Sequence, residues 1–148
     1  MQAWRGRFAG FWTFAGSRSI IGGLANGAYV MSALPRILLV EDEWLIAEFF
    51  GDILREDGYE ILGPAADLEA AQHLIEQENP KAAVLDVSLG NVKSYPIAEL
   101  LTRHGIPFLF VSGYSADALL AEFRHVPLIN KPMAGAQLAQ AVRNLLEQ

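Results

Sequence analysis

The sequence predicts an α/β fold, a single doubly wound parallel sheet, and three observations carry that prediction. Short aliphatic runs alternate with amphipathic stretches five times between residue 35 and residue 148. The runs are continuously apolar, as strands covered on both faces are. The length of 148 residues, free of low-complexity tracts, suits one core of ordinary size.

RILLV (36–40) reads as the first buried strand. EWLIAEFFGDILREDG follows, with Leu45, Ile46, Phe49, Phe50, Ile53 and Leu54 at helical spacing and Gly58 as its stop. YEILGPAA is a second strand, expected to break at Gly63-Pro64, and DLEAAQHLIEQENP a helix capped by Asp67 and ended by Pro80. KAAVLDV is the third strand. SYPIAELLTRHG is a helix with Pro96 tolerable in its first turn. IPFLFVSGY gives a fourth strand, SADALLAEFRH a short helix, and VPLIN a brief fifth strand before Lys131-Pro132 and the closing helix MAGAQLAQAVRNLLEQ. Strands and helices in strict alternation place helices on both faces of the sheet.

Charge and composition exclude several functions. A net charge of −6 with no basic stripe points away from nucleic acid. The absence of cysteine removes disulfides, thiolate metal sites and thiol nucleophiles. His73, His104 and His125 have no ligand spacing. Residues 1–30 carry Arg5, Arg7 and Arg18 without an acid, giving +3, against −9 for the remainder. This aromatic, glycine-rich stretch is split by Arg18 and falls short of the roughly 18 apolar residues of a membrane span. It also lacks an A-x-A cleavage pattern. Residues 1–34 are therefore read as an extension, unstructured or produced by an over-extended start with Met31 as the true first residue; a functional tail or membrane tether is the alternative. The domain proper is 35–148.

Ligands of an open parallel sheet bind outside the carboxyl ends of its strands. Glu41 and Asp42 end the first strand, Asp86 the third and Ser112 the fourth, and Lys131 follows the fifth. Topology brings all five to one edge. Clustered carboxylates repel, and a hard divalent cation with oxygen ligands resolves the repulsion, Mg²⁺ being the fitting one. A carboxylate can also attack phosphorus to give an aspartyl phosphate. The phosphoryl oxygens then need the metal, a lysine and a hydroxyl or amide donor, roles open to Lys131, Ser112 and the amides after Asp86 and Ser112. Simple helix capping by the acids would leave Asp86 and Lys131 unexplained, although Glu43 is expected to do only that.

With LLVEDE, VLDVSLG, FVSGY and NKPM each at a strand end and in this order, the chain from about residue 35 resembles the response-regulator receiver domains (CheY-like) of two-component signalling. The flavodoxin-like strand order 2-1-3-4-5, of which such receivers are a standing example, is taken from that resemblance. The resemblance implies a (βα)5 domain with Asp86 as phosphoacceptor. It implies Mg²⁺ held by Asp42 and Asp86, by Glu41 through water, and by the backbone carbonyl of Ser88. Ser112 would follow the phosphoryl group, and Lys131 would pair with its oxygens over a cis bond to Pro132.

The implied protein is a stand-alone cytoplasmic receiver and not an enzyme in the ordinary sense. A histidine kinase or phosphotransfer protein would phosphorylate it. It would signal through the face of the fourth helix, fifth strand and fifth helix, as a monomer or weak homodimer without membrane or nucleic acid.

The aromatic switch usual three residues before the lysine is replaced by Leu128. PFLFVSGYS is similar to the FATGUY subfamily, which lacks that aromatic and is often served by HWE or related kinases; Tyr114 is the candidate substitute. Two rivals remain. A haloacid-dehalogenase-type phosphatase needs a second Asp two residues after the first, where this chain has Ser88. A pseudo-receiver would keep the fold without Asp42, Asp86, Ser112 and Lys131 all in place.

Overall fold

The computed structural model describes residues 11–12, 20–25, 28–31 and 33–148. Five parallel strands, β1 (Arg36–Val40), β2 (Glu60–Ala65), β3 (Ala82–Asp86), β4 (Phe108–Ser112) and β5 (Leu128–Asn130), form one sheet. Across it they run β5-β4-β3-β1-β2, the expected order. Four helices cover the sheet: α1 (Trp44–Glu56), α2 (Leu68–Glu78), α3 (Tyr95–Arg103) and α4 (Gly135–Leu146).

Alternation along each strand divides the core in two. Leu38, Val40, Leu85 and Phe110 face one way and pack with Ala71 and Ile75 of α2 and Ile97 and Leu101 of α3. Ile37, Leu39, Val84, Leu109 and Val111 face the other way, against Phe50 and Leu54 of α1 and Leu138 and Val142 of α4. Every residue of β3 and β4 is buried, which is why these strands read as unbroken apolar runs. Burying each large aliphatic side chain contributes roughly 1.5–3 kcal/mol.

The helix boundaries follow local chemistry. α1 stops at Asp57, and Gly58 takes a left-handed φ of 98°. The Asp67 carboxylate accepts from the Ala70 N–H at 2.8 Å at the start of α2, and left-handed Asn79 ends that helix before Pro80. Pro96 lies in the first turn of α3.

Two elements differ from expectation. β2 continues through Gly63-Pro64, with a register shift where it passes β1 between Leu38 and Val40. β2 is an edge strand, so the missing N–H of Pro64 interrupts no central ladder. The helix expected over 115–125 is instead two 3-10 turns, Ala116–Ala118 and Ala121–Phe123. Leu119 between them is extended, and the Arg124 guanidinium donates to the carbonyls of Leu119 (3.3 Å) and Asp117 (3.5 Å) in place of helical amides.

Most of the extension assigned to 1–34 lies outside the described residues. The backbone described there pairs antiparallel as Phe11–Trp12, Ile20–Ala25 and Ala28–Met31. Among the described residues no helix is long and apolar enough to cross a membrane.

Candidate functional site

The sheet delivers the expected residues to its carboxyl edge. β1 hands on to Glu41, which is buried, and to Asp42, which is exposed; the Glu41 N–H donates to the Ala65 carbonyl at 2.9 Å, tying it to the end of β2. β3 ends on buried Asp86 and β4 on buried Ser112. The Lys131 N–H donates to the Ser112 carbonyl at 2.8 Å, and the Lys131-Pro132 bond is cis, as the resemblance implies.

Lys131 is the hinge of the electrostatics. Its Nζ donates to Glu41 Oε1 at 2.7 Å and to Asp86 Oδ2 at 2.9 Å. The other oxygens are held by backbone: Asp86 Oδ1 accepts from the Ser88 N–H (3.0 Å), Glu41 Oε2 from the Glu43 N–H (3.2 Å) and Asp42 Oδ2 from the Gly90 N–H (2.9 Å). Glu43 is the N-cap position of α1, without a side-chain cap bond.

One ammonium serves two carboxylates, and the surplus negative charge shows on the more buried of them. Burial pushes the Glu41 carboxyl up to about 7; the Lys131 hydrogen bond pulls it down, and Asp86 pushes it up again. Burial works against the charge on Lys131, but its hydrogen bonds to Glu41 and Asp86 outweigh this and raise its pKa above the ordinary lysine value. The two shifts conflict as a simple ion pair. They agree once Lys131 is charged and only one carboxylate is fully compensated.

Glu41, Asp42 and Asp86 each offer an oxygen within 4.8 Å of the others, the donor set a small hard cation takes. Ser88 opens a two-residue hairpin strand, Ser88–Leu89, paired with Val92–Lys93 immediately beyond Asp86. The position two residues after Asp86 thus carries a serine amide on the carboxylate and no second acid, against the phosphatase reading.

The Ser112 hydroxyl accepts from the Tyr114 N–H at 2.9 Å, and the Asn130 amide donates to the Tyr114 carbonyl at 2.6 Å. Trp44 and Tyr114 are mostly exposed, at 70% and 56%. Leu128 pairs in register with Phe110 and packs against the core. Phe108 and Phe110 are core residues, as expected. Tyr95 stacks on Phe123 with ring centroids 5.3 Å apart, and its hydroxyl accepts from the Leu120 N–H at 3.4 Å.

No sequence pattern announces Lys93 as a neighbour of Ser88. It sits at no end of the main strands, and only the hairpin register Ser88↔Lys93 brings it to the site.

The family model for the response regulator receiver domain matches residues 37–143. The chain is 30% identical over 116 residues to the transcriptional regulatory protein PdtaR of Mycobacterium tuberculosis, covering 75% of this chain and 57% of that protein. It is 30% identical over 112 residues to a protein-glutamate methylesterase/protein-glutamine glutaminase of Agrobacterium fabrum, covering 71% of this chain and 32% of that protein. The chain therefore spans well under two thirds of either relative. Among solved structures it resembles the CheY-like receiver domain protein of Methanospirillum hungatei (26% identity, TM-score 0.69, 78% of this chain and 95% of that one). The PhyR receiver domain of Erythrobacter litoralis is similar to the same degree (27%, TM-score 0.69, 77% and 91%).

Proposed function

The chain belongs to the response regulator receiver family, and on that premise we propose that it serves a two-component phosphorelay by accepting a phosphoryl group on Asp86. The observation that carries this reading is Lys131 within 3 Å of both Asp86 and Glu41, beside exposed Asp42.

An Asp86 carboxylate oxygen attacks phosphorus. The bond to the donor, a phosphohistidine nitrogen, breaks, and its electron pair stays on the imidazole. Lys131, already hydrogen-bonded to Asp86, neutralises oxygens of the arriving group, and the Ser112 hydroxyl donates to another. Asp42 and Asp86, Glu41 through water, and the Ser88 carbonyl would hold Mg²⁺, which when bound neutralises phosphoryl charge.

The donor is a histidine kinase or phosphotransfer protein. PFLFVSGYS together with Leu128 in place of an aromatic supports the FATGUY affiliation, and with it a kinase of the HWE type. The signalling face is formed by the two 3-10 turns, β5 and α4, which stand where the fourth helix, fifth strand and fifth helix were expected.

Incubation with a small phosphodonor and Mg²⁺, followed by intact mass, tests the assignment. Wild type should gain one base-labile phosphoryl group and Asp86→Asn none; equal labelling of both would remove Asp86 from the role.

A further inference from the structure

Lys93 joins the two segments that carry Asp86 and Ser112. Its Nζ donates to Ser88 Oγ at 2.9 Å and lies 4.9 Å from the centre of the Tyr114 ring. Ser88 in turn gives its N–H to Asp86 Oδ1 (3.0 Å), and Tyr114 gives its N–H to Ser112 Oγ (2.9 Å). One ammonium therefore fastens the loop after β3 to the turn after β4. Lys93, Ser112 and Tyr114 also line a cavity of about 280 Å³, together with Val87, Tyr95, Ala118 and Leu119.

We propose that Lys93 is a positioning residue that sets the lifetime of the phosphoryl group, an inference that rests on Asp86 being the phosphoacceptor. The step it governs is hydrolysis. A water oxygen bonds to phosphorus, the bond to Asp86 breaks with its electron pair returning to the carboxylate, and the water's proton leaves with inorganic phosphate or to solvent. Lys93 never touches the reacting atoms. It acts through Ser88, whose N–H is bonded to Asp86, and through Tyr114, whose N–H is bonded to Ser112. Both of its contacts are near the surface, so each changes a rate by a modest factor and neither decides whether labelling occurs.

The test uses the full chain, labelled with phosphoramidate and Mg²⁺, freed of donor and followed by intact mass. Lys93→Met keeps the stem and removes the charge; it should lose its phosphoryl group about fivefold faster than wild type, the worth of one such contact. Lys93→Arg should decay at the wild-type rate, and Tyr114→Leu should match Lys93→Met. Labelling rates and melting temperatures should stay together across the set, which separates a change of lifetime from a loss of structure. Decay of Lys93→Met at the wild-type rate overturns the inference, as does Lys93→Arg decaying as fast as Lys93→Met. Should Lys93→Met not fold, wild-type decay in Tyr114→Leu overturns it instead. A wild type that takes up no label overturns the Asp86 assignment together with this inference, whereas a labelled wild type with unchanged variants overturns this inference alone.

Discussion

Lys131 meets Asp86 at 2.9 Å across 45 positions of sequence, and the same ammonium lies 2.7 Å from Glu41. The contact joins the end of β3 to the end of β5 although β4 lies between them in the sheet. Lys131→Ala would leave two buried carboxylates facing each other. Without Mg²⁺ at neutral pH it should cost about 3 kcal/mol, as for other broken buried pairs. Urea unfolding checks this, and added Mg²⁺ should recover much of the loss. An unchanged midpoint would contradict the electrostatic account.

The Glu41 carboxyl gives a pH dependence of definite sign. It keeps its proton to about pH 7 in the folded chain, against 4.5 for an ordinary glutamate. Between those values the folded state binds more protons than the unfolded one. Its contribution to stability is therefore full below 4.5 and is lost as pH rises through about 7. Metal binding needs the ionised carboxylate, so Mg²⁺ should raise the melting temperature more at about pH 8 than at about pH 5.5. Equal shifts at the two pH values would separate Glu41 from the metal.

Gly63 should resist substitution although it lies in an edge strand. Its φ is +100°, and an added Cβ would fall 2.6 Å from the Ala65 nitrogen and 2.8 Å from the Leu39 oxygen. Both neighbours are backbone and cannot rotate away. Gly63→Ala should cost at least about 2 kcal/mol from strain of this kind, read by chemical denaturation, and a smaller loss would argue that the strand can shift its register.

Phe110 is wholly buried in β4 and meets the rings of Phe108, Tyr95 and Phe123 at 5.5, 6.2 and 5.9 Å. Phe110→Ala should lose about 4 kcal/mol, the range of large core truncations. A loss under about 1 kcal/mol would mean that the cluster collapses to fill the space.

Much of this was legible in the chain because strand order and strand ends are linked. Glu41, Asp42, Asp86, Ser112 and Lys131 could be gathered from sequence since parallel strands deliver their carboxyl ends to one edge. Lys93 could not, because its place depends on a hairpin with two-residue strands that no hydrophobic period announces. The stretch 115–125 reads as a helix and is not one, for a different reason. Leu119 and Phe123 are buried four residues apart, as on a helix, yet that spacing is met by two turns with an extended residue between them. Backbone carbonyls there are satisfied by the Arg124 side chain, a competition that a pattern of apolar residues does not reveal. At Gly63-Pro64 the residue types were right for an interruption, but position at the sheet edge removed its consequence.

Those two turns also set an energy scale. Their amides rest on single three-residue bonds, Ala118 to Ser115, Leu119 to Ala116 and Phe123 to Leu120, where the neighbouring helices have a continuous ladder. Such a segment should open at the low end of local free energies, and its amides should exchange with solvent before those of α3 or α4. Within the surface proposed for output, the two turns are thus less costly to re-form than α4, and a coupling of only about 1–3 kcal/mol would be enough to redraw them.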